Sequence, residues 1–407
     1  MHQLFKDKNF LRLCLAAFFM SSCLQLVQIV MPFVAKSLGG SDTEVGLCFM
    51  GQMGVYVIFC IMAYFIVEKF KPRRVLWVSA AGQAVIVCGI LGVIWLGKDT
   101  PLAVTPVMQL VFLMSMIGIV TAFYWPVLMG WISTGHEGAE LTKRLGFYNV
   151  TWGSANMLLP IVGGYLMEIN YILPVTAAVI VTILCIMAVS TTTCISEIPI
   201  KKSEDLPVFI NDINQNEKSQ FLWISRVAMF ANFICAGIFR SQLGIYYKFE
   251  LGFTESVYGW AISLMCLFNV VVFYMMGRSY WWHYKKGMFV ASQFLIVICM
   301  MTIIFSHNIV VQLLAAGMTG ITYGITYSSH QYYGVSGGKN RAGRMAIHEI
   351  ILGTGFAAGS LLGGMISDSF GRHFPYWFGC GIMAAFGIFQ VILWFSIGIL
   401  QKQKRLS

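Results

Sequence analysis

The chain has 407 residues, 58% of them hydrophobic and only 11% charged, and its mean hydropathy is +0.74. Soluble globular chains are about 25% charged and less apolar, so this composition excludes a water-soluble fold and indicates an integral membrane protein. The formal net charge of +10 is not a nucleic-acid footprint, because its placement along the chain follows membrane topology.

Twelve apolar spans follow in chain order: roughly 10–34, 43–67, 74–96, 104–131, 145–168, 171–194, 221–247, 254–277, 286–305, 308–334, 345–367 and 374–400. A helix needs about 20 apolar residues to cross a bilayer and a barrel strand only about 10. Lipid offers no partner for backbone N–H and C=O groups, so spans of this length predict helices. The first run lacks a small-residue cleavage site and is expected to stay as the first span. One connection is long, polar and charged, EIPIKKSEDLPVFINDINQNEKSQ from Glu197 to Gln220, and it divides the spans six and six. The predicted fold is all-α, with twelve transmembrane helices as two six-helix pseudo-symmetric bundles: residues 1–196, a cytoplasmic linker 197–220, and residues 221–407.

Lys and Arg set the orientation. Of the 27 in the chain, all but Lys36, Lys98, Lys248, Arg372 and Arg240 fall on the side of the N-terminus. That asymmetry predicts both termini in the cytoplasm, in a plasma membrane (the inner membrane if the source is bacterial). The eleven cysteines lie mostly inside apolar spans without C-x-x-C spacing and read as small apolar packers. No metal site and no cofactor are expected.

The chain also repeats itself. Shifted by about 200 residues, KRLGFYNVTWGSANMLLPIVGGYLME from Lys143 falls on GRMAIHEIILGTGFAAGSLLGGMISD from Gly343. Arg144 meets Arg344, Gly153 meets Gly353, Gly163-Gly164 meets Gly363-Gly364, and Glu168 meets Asp368. A second match pairs LGGSDTEVG from Leu38 with LGFTESVYG from Leu251. Two six-span halves in parallel register are the plan of one large transporter class.

At this point the whole chain resembles the major facilitator superfamily. After span 2 that family carries a Gly-x-x-x-Asp-Arg-x-Gly-Arg-Arg loop that gates motion at the cytoplasmic face. Here FIVEKFKPRRV puts Glu68 at the acid, Lys69 at the first base, and Arg73 and Arg74 in the basic tail, with Tyr64 and Lys71 where the family has glycine. The resemblance implies a cytoplasmic gate of Glu68, Lys69, Arg73, Arg144 and Arg344; a positive-inside loop alone is the plainer reading. Span 5 is similar to the family's glycine-proline signature in ANMLLPIVGG, and span 11 keeps the glycines in GFAAGSLLGG. Small residues let helices approach closely, and helix packing alone accounts for both stretches.

Ionisable side chains inside a span are expensive and usually functional. Arg240 lies ten residues before Glu250, about 15 Å deep. Span 7 lines the central cavity in the family, so Arg240 requires an anion there: either the substrate, held as guanidinium holds carboxylate or phosphate, or Glu349. Glu349 and His348 lie just inside span 11. They are either a proton-coupling site or, for Glu349, an inner gate contact; adjacent residues on a helix point about 100° apart, so at most one faces the cavity squarely. The remaining polar and aromatic groups on cavity spans are Gln25 and Gln28, Trp125 in FYWP, Asn149 and Trp152 with Asn156 on one face, Asn269, and Tyr323 and Tyr327. Aromatic walls with a few amides and one arginine suit a small-molecule site.

These readings predict a secondary transporter working by alternating access, H⁺-coupled, moving a small organic solute that is anionic if Arg240 binds it. A sugar, nucleoside or peptide is compatible too. Export of lipophilic drugs or lipids is the alternative within the class, and a non-transporting membrane sensor is the alternative outside it. An enzyme is not expected: HEIILG offers one His and one Glu but no second histidine at zinc spacing, and no nucleotide-binding loop is present. The expected partners are the substrate, H⁺ and the lipid bilayer, with no nucleic acid; the expected state is a monomer.

Overall fold

The computed structural model describes residues 7–66, 69–97, 104–134, 138–193, 215–279, 281–285, 287–335 and 341–406. Twelve helices account for nearly all of them: α1 (Lys8–Ser37), α2 (Asp42–Ile66), α3 (Pro72–Leu96), α4 (Pro106–Ser133), α5 (Gly138–Ile169), α6 (Ile172–Ser190), α7 (Gln215–Phe249), α8 (Glu255–Arg278), α9 (Gly287–Phe305), α10 (Ile309–Val335), α11 (Arg341–Phe370) and α12 (Phe374–Leu406). No strand occurs among the described residues. Each predicted span has its helix.

Eleven of the twelve are long and apolar enough to cross a membrane by themselves. The exception is α5, whose apolar run is interrupted by Asn149, Thr151, Ser154 and Asn156. The protein is therefore an integral membrane protein. One boundary needs correcting. The predicted linker 197–220 lies mostly outside the described residues, but its last part is helical, since α7 begins at Gln215. The stretch QNEKSQ is polar but made of adequate helix formers, and Gln220 and Phe221 are already buried against the rest of the bundle.

Local chemistry sets several helix ends. The Asp7 carboxylate accepts from the Phe10 N–H at 3.0 Å and caps α1. Thr105 caps α4 through Met108, and Pro72 and Pro106 open α3 and α4 where no N–H is needed. Gly39 and Gly252 take positive φ (88° and 69°) in the tight α1–α2 and α7–α8 turns, and they are counterparts in the second repeat match.

Helices α1–α6 pack among themselves chiefly through α2–α4, α1–α5, α1–α6, α3–α4 and α3–α6. Helices α7–α12 do so through α7–α11, α8–α10, α9–α10 and α9–α12. Between the two sets the main contacts are α2 on α11 and α5 on α8, with lighter contacts of α7 on α2 and on α1.

Candidate functional site

Arg240 sits in the α1–α7 contact. Its side chain is buried, and Nη2 donates to Gln25 Oε1 of α1 at 3.0 Å, joining the two sets of helices. The Tyr258 hydroxyl donates to the Arg240 carbonyl at 2.9 Å. Nη1 is buried with no hydrogen-bond partner. Among the described residues no carboxylate forms an ion pair with Arg240. A buried cation with an unused donor is costly, so the guanidinium has an open valence toward an anion. The Arg240–Glu349 pair left open by the sequence is not formed.

Tyr323 lies within electrostatic reach of Arg240. It is buried, its hydroxyl has no partner, and its ring tilts against Phe233. Asn269 and Asn156 each carry a buried amide oxygen with no partner. Both belong to the α5–α8 pair, where Gly153 faces Val270. The other candidates go elsewhere. Gln28 donates to Gln52 of α2 at 3.1 Å. Asn149 is exposed and accepts from Trp152 of its own helix at 3.0 Å. Trp125 packs edge-on to Tyr124.

His348 and Glu349 diverge as helix geometry demands. Glu349 accepts from the Tyr56 hydroxyl of α2 at 3.3 Å. His348 is buried on α10, with Nδ1 2.6 Å from His330 Nδ1 and Tyr327 edge-on at 4.7 Å. His330 was visible in the sequence only as a polar residue near Tyr327; its role as a partner required the helix pairing.

Of the predicted cytoplasmic gate, Glu68 and the Arg344 side chain lie outside the described residues. Lys69 is exposed. Arg73 donates to the Ser190 carbonyl at the end of α6. Arg144 pairs with Asp7 at 2.7 Å and covers Phe10. Neither of these two contacts crosses from α1–α6 to α7–α12. At Asp7 burial pushes the carboxyl up, but the Phe10 N–H and the Arg144 guanidinium outweigh it and hold it below the usual carboxylate range.

The opposite end of the bundle carries a constellation that the sequence showed only as a repeat. Asp368, at the end of α11, accepts from the backbone N–H of Asp42 (3.0 Å) and Thr43 (2.8 Å) and from the Thr43 hydroxyl (2.5 Å). It thereby caps α2 from across the molecule. Its repeat counterpart Glu168, at the end of α5, accepts from the Ser256 N–H at 3.2 Å and so caps α8. Carboxylates stabilise helix N-termini by hydrogen bonding and by the helix dipole.

The residues behind these caps match as well. Lys36 pairs with Asp42 at 2.7 Å, and Lys248 pairs with Glu255. A Cβ on Gly46 would collide with the Ser360 carbonyl, and one on Gly259 with the Pro160 carbonyl. Gly364 likewise rests on Asp42 and Gly164 on Ser256. Two pseudo-symmetric seams therefore close this end backbone to backbone, and Arg372 adds contacts to Asp42 and Glu250 at 3.4 and 3.7 Å.

The fold is shared with solved transporters. A peptide transporter of POT type superposes with TM-score 0.72 at 13% identity, covering 97% of this chain and 95% of that one. The nucleoside transporter NupG gives 0.71 at 9% identity, with coverage of 94% and 99%. A bacterial homologue of the human lysosomal transporter Spinster, in an inward-facing and occupied conformation, gives 0.70 at 14%, with coverage of 98% and 97%. No curated protein matches the chain in sequence. The sequence model of the Major Facilitator Superfamily matches residues 13–337 and 227–404. That match spans well over half of the chain, and together with the twelve helices it shows that the chain belongs to the Major Facilitator Superfamily of membrane transporters.

Proposed function

We propose that the protein is a secondary transporter that moves a small organic anion by alternating access. Two six-helix bundles, residues 1–196 and 221–407, rock about the Arg240–Gln25 contact in a plasma membrane, with both termini cytoplasmic. The observation that carries this reading is the buried Nη1 of Arg240, which has no hydrogen-bond partner, with no carboxylate ion-paired to the guanidinium among the described residues. A carboxylate or phosphate would complete it, in a contact worth about 1.5–3 kcal/mol. Tyr323, Asn156 and Asn269 supply further unpaired polar atoms for the rest of the solute. H⁺ is the coupling ion, taken up on α11 at Glu349 or at His348, which face different helices.

A second reading, a neutral polar solute such as a nucleoside, is favoured by the two free amide oxygens and by the likeness to NupG. A thermal-shift panel of carboxylates, phosphates, sugars, nucleosides and lipophilic cations separates the two, because a ligand that binds the folded state raises its melting temperature. Anions should stabilise the wild type and not Arg240→Ala. Stabilisation by neutral solutes alone, retained in Arg240→Ala, would replace the first reading with the second. Stabilising solutes are then added to proteoliposomes loaded with a pH dye, where H⁺ coupling appears as solute-driven acidification.

A further inference from the structure

The His330–His348 contact does not belong to the Arg240 site. Both rings are about 1% exposed, they stack at 4.8 Å, and their Nδ1 atoms are 2.6 Å apart. Both Nε2 atoms are buried without partners. Each neutral imidazole carries one N–H and one lone pair. If both rings carried their proton on Nε2, two lone pairs would face each other at 2.6 Å. If both carried it on Nδ1, two N–H groups would collide. The separation therefore requires one proton on the Nδ1–Nδ1 axis. A neutral pair then holds this bridging proton and one further proton on a single Nε2.

One more proton fits without moving either ring, on the vacant Nε2. It gives a +1 pair that shares the bridging proton. A second would have to enter the bridge, set N–H against N–H, and push α10 away from α11. The α10–α11 contact is light beside those of α11 with α7 and α2, and this pair with the Tyr327–His348 ring contact lies within it.

The groups facing the pair come from several elements. Arg226 of α7 acts on His330, and Tyr327 of α10 lies edge-on to His348. Glu349, the next residue of α11, turns to Tyr56 of α2. From the α8–α9 connection, His283 stacks on Tyr332, two residues beyond His330.

We propose that His330 and His348 form a one-proton binding site that ties α10 to α11 and takes up the proton that drives the transporter. The proposal rests on the proton-coupled reading above for its functional half only. It makes His330 a proton-binding residue equal to His348 and separates the site from Glu349.

The test needs no identified solute. Protein labelled with ¹⁵N-histidine is placed in nanodiscs, and its ring resonances are followed from about pH 5 to pH 8, in the range where histidine titrates. Wild type should show one strongly low-field ring proton correlated with two histidine nitrogens, lost in both His330→Asn and His348→Asn. Absence of that resonance from folded wild type overturns the proposal, and so does its survival in either variant. Indicator-dye titration of the purified protein supplies a count. The double variant should bind one proton fewer than wild type, and a deficit of two would mean independent histidines. If the shared resonance is present but stabilising solutes never acidify the dye-loaded proteoliposomes, the proton-coupled reading fails and the driving role with it, while the one-proton site stands. If solutes move protons and no shared resonance exists, coupling lies with Glu349 and this inference fails.

Discussion

Replacing Asp368 by Asn tests whether the two carboxylate caps hold one end of the molecule closed. The aspartate accepts three hydrogen bonds at the start of α2, two from backbone N–H groups. Asparagine keeps the shape but offers one acceptor oxygen, and its NH₂ opposes a backbone donor. Loss of a helix N-cap costs about 1 kcal/mol, and hydrogen bonds to a charged group about 1.5–3 each when buried. Asp368 is exposed, so solvent screening discounts the upper figure. A penalty of about 1–2 kcal/mol remains, which shifts the closed-to-open ratio about 5- to 30-fold toward open.

Glu168 makes one backbone bond, at 3.2 Å, so Glu168→Gln should shift the ratio only about 2- to 5-fold, or about 0.5–1 kcal/mol. Pulsed electron resonance between spin labels at Ser37 and Ser369, in a cysteine-replaced background, reads the separation across this end. Longer distances should gain population in Asp368→Asn, less so in Glu168→Gln, and most in the double variant. An unchanged distribution in Asp368→Asn, or a larger effect at Glu168, would refute the reasoning.

Gly364→Leu forces a side chain into the Asp42–Thr43 backbone; overpacking of this kind costs about 1–3 kcal/mol, so the same labels should report an open end, and a distribution matching wild type would count against the seam. Arg240→Lys keeps the charge but loses the planar fork; carboxylate binding should weaken about 10- to 100-fold by isothermal titration, and unaltered affinity would remove the arginine from the site. Asp7 is held below the usual carboxylate range by Phe10 N–H and Arg144, so its contribution to stability is complete above the unfolded value near 4 and is lost as pH falls through the lower folded value. Acid unfolding curves of wild type and Asp7→Asn should therefore diverge above about pH 4 and converge below it, and parallel curves would exclude the linkage. Tyr56→Phe removes the hydroxyl donated to Glu349; infrared difference spectra should show the Glu349 carboxyl stretch displaced from its wild-type position, and an unmoved band would mean that the contact carries no weight.

Much of this protein was determined by its sequence. Lipid leaves no backbone group unpaired, so apolar runs of helix length specified twelve helices, and charged or small turn residues fixed most of their ends, while the start of α5 and the end of α12 run six or seven residues past the apolar spans. The exceptions have physical causes. QNEKSQ is polar yet extends α7, whose buried face begins at Gln220 and Phe221, and α5 lacks a continuous apolar run because it carries the amides of Asn149 and Asn156. The placement of Arg240 within an apolar span and the repeat linking Glu168 with Asp368 were also legible.

The tertiary structure alone decided who meets whom. Helical periodicity gives the face of one helix but not the helix opposite, so nothing local joined Arg240 to Gln25, His348 to His330, or Glu349 to Tyr56. It likewise hid that each matched segment closes on the other half's turn, with Asp368 capping α2 and Glu168 capping α8. Those pairings depend on backbones near enough to touch across the bundle, and that proximity comes from packing between residues some 90 to 330 positions apart in the chain.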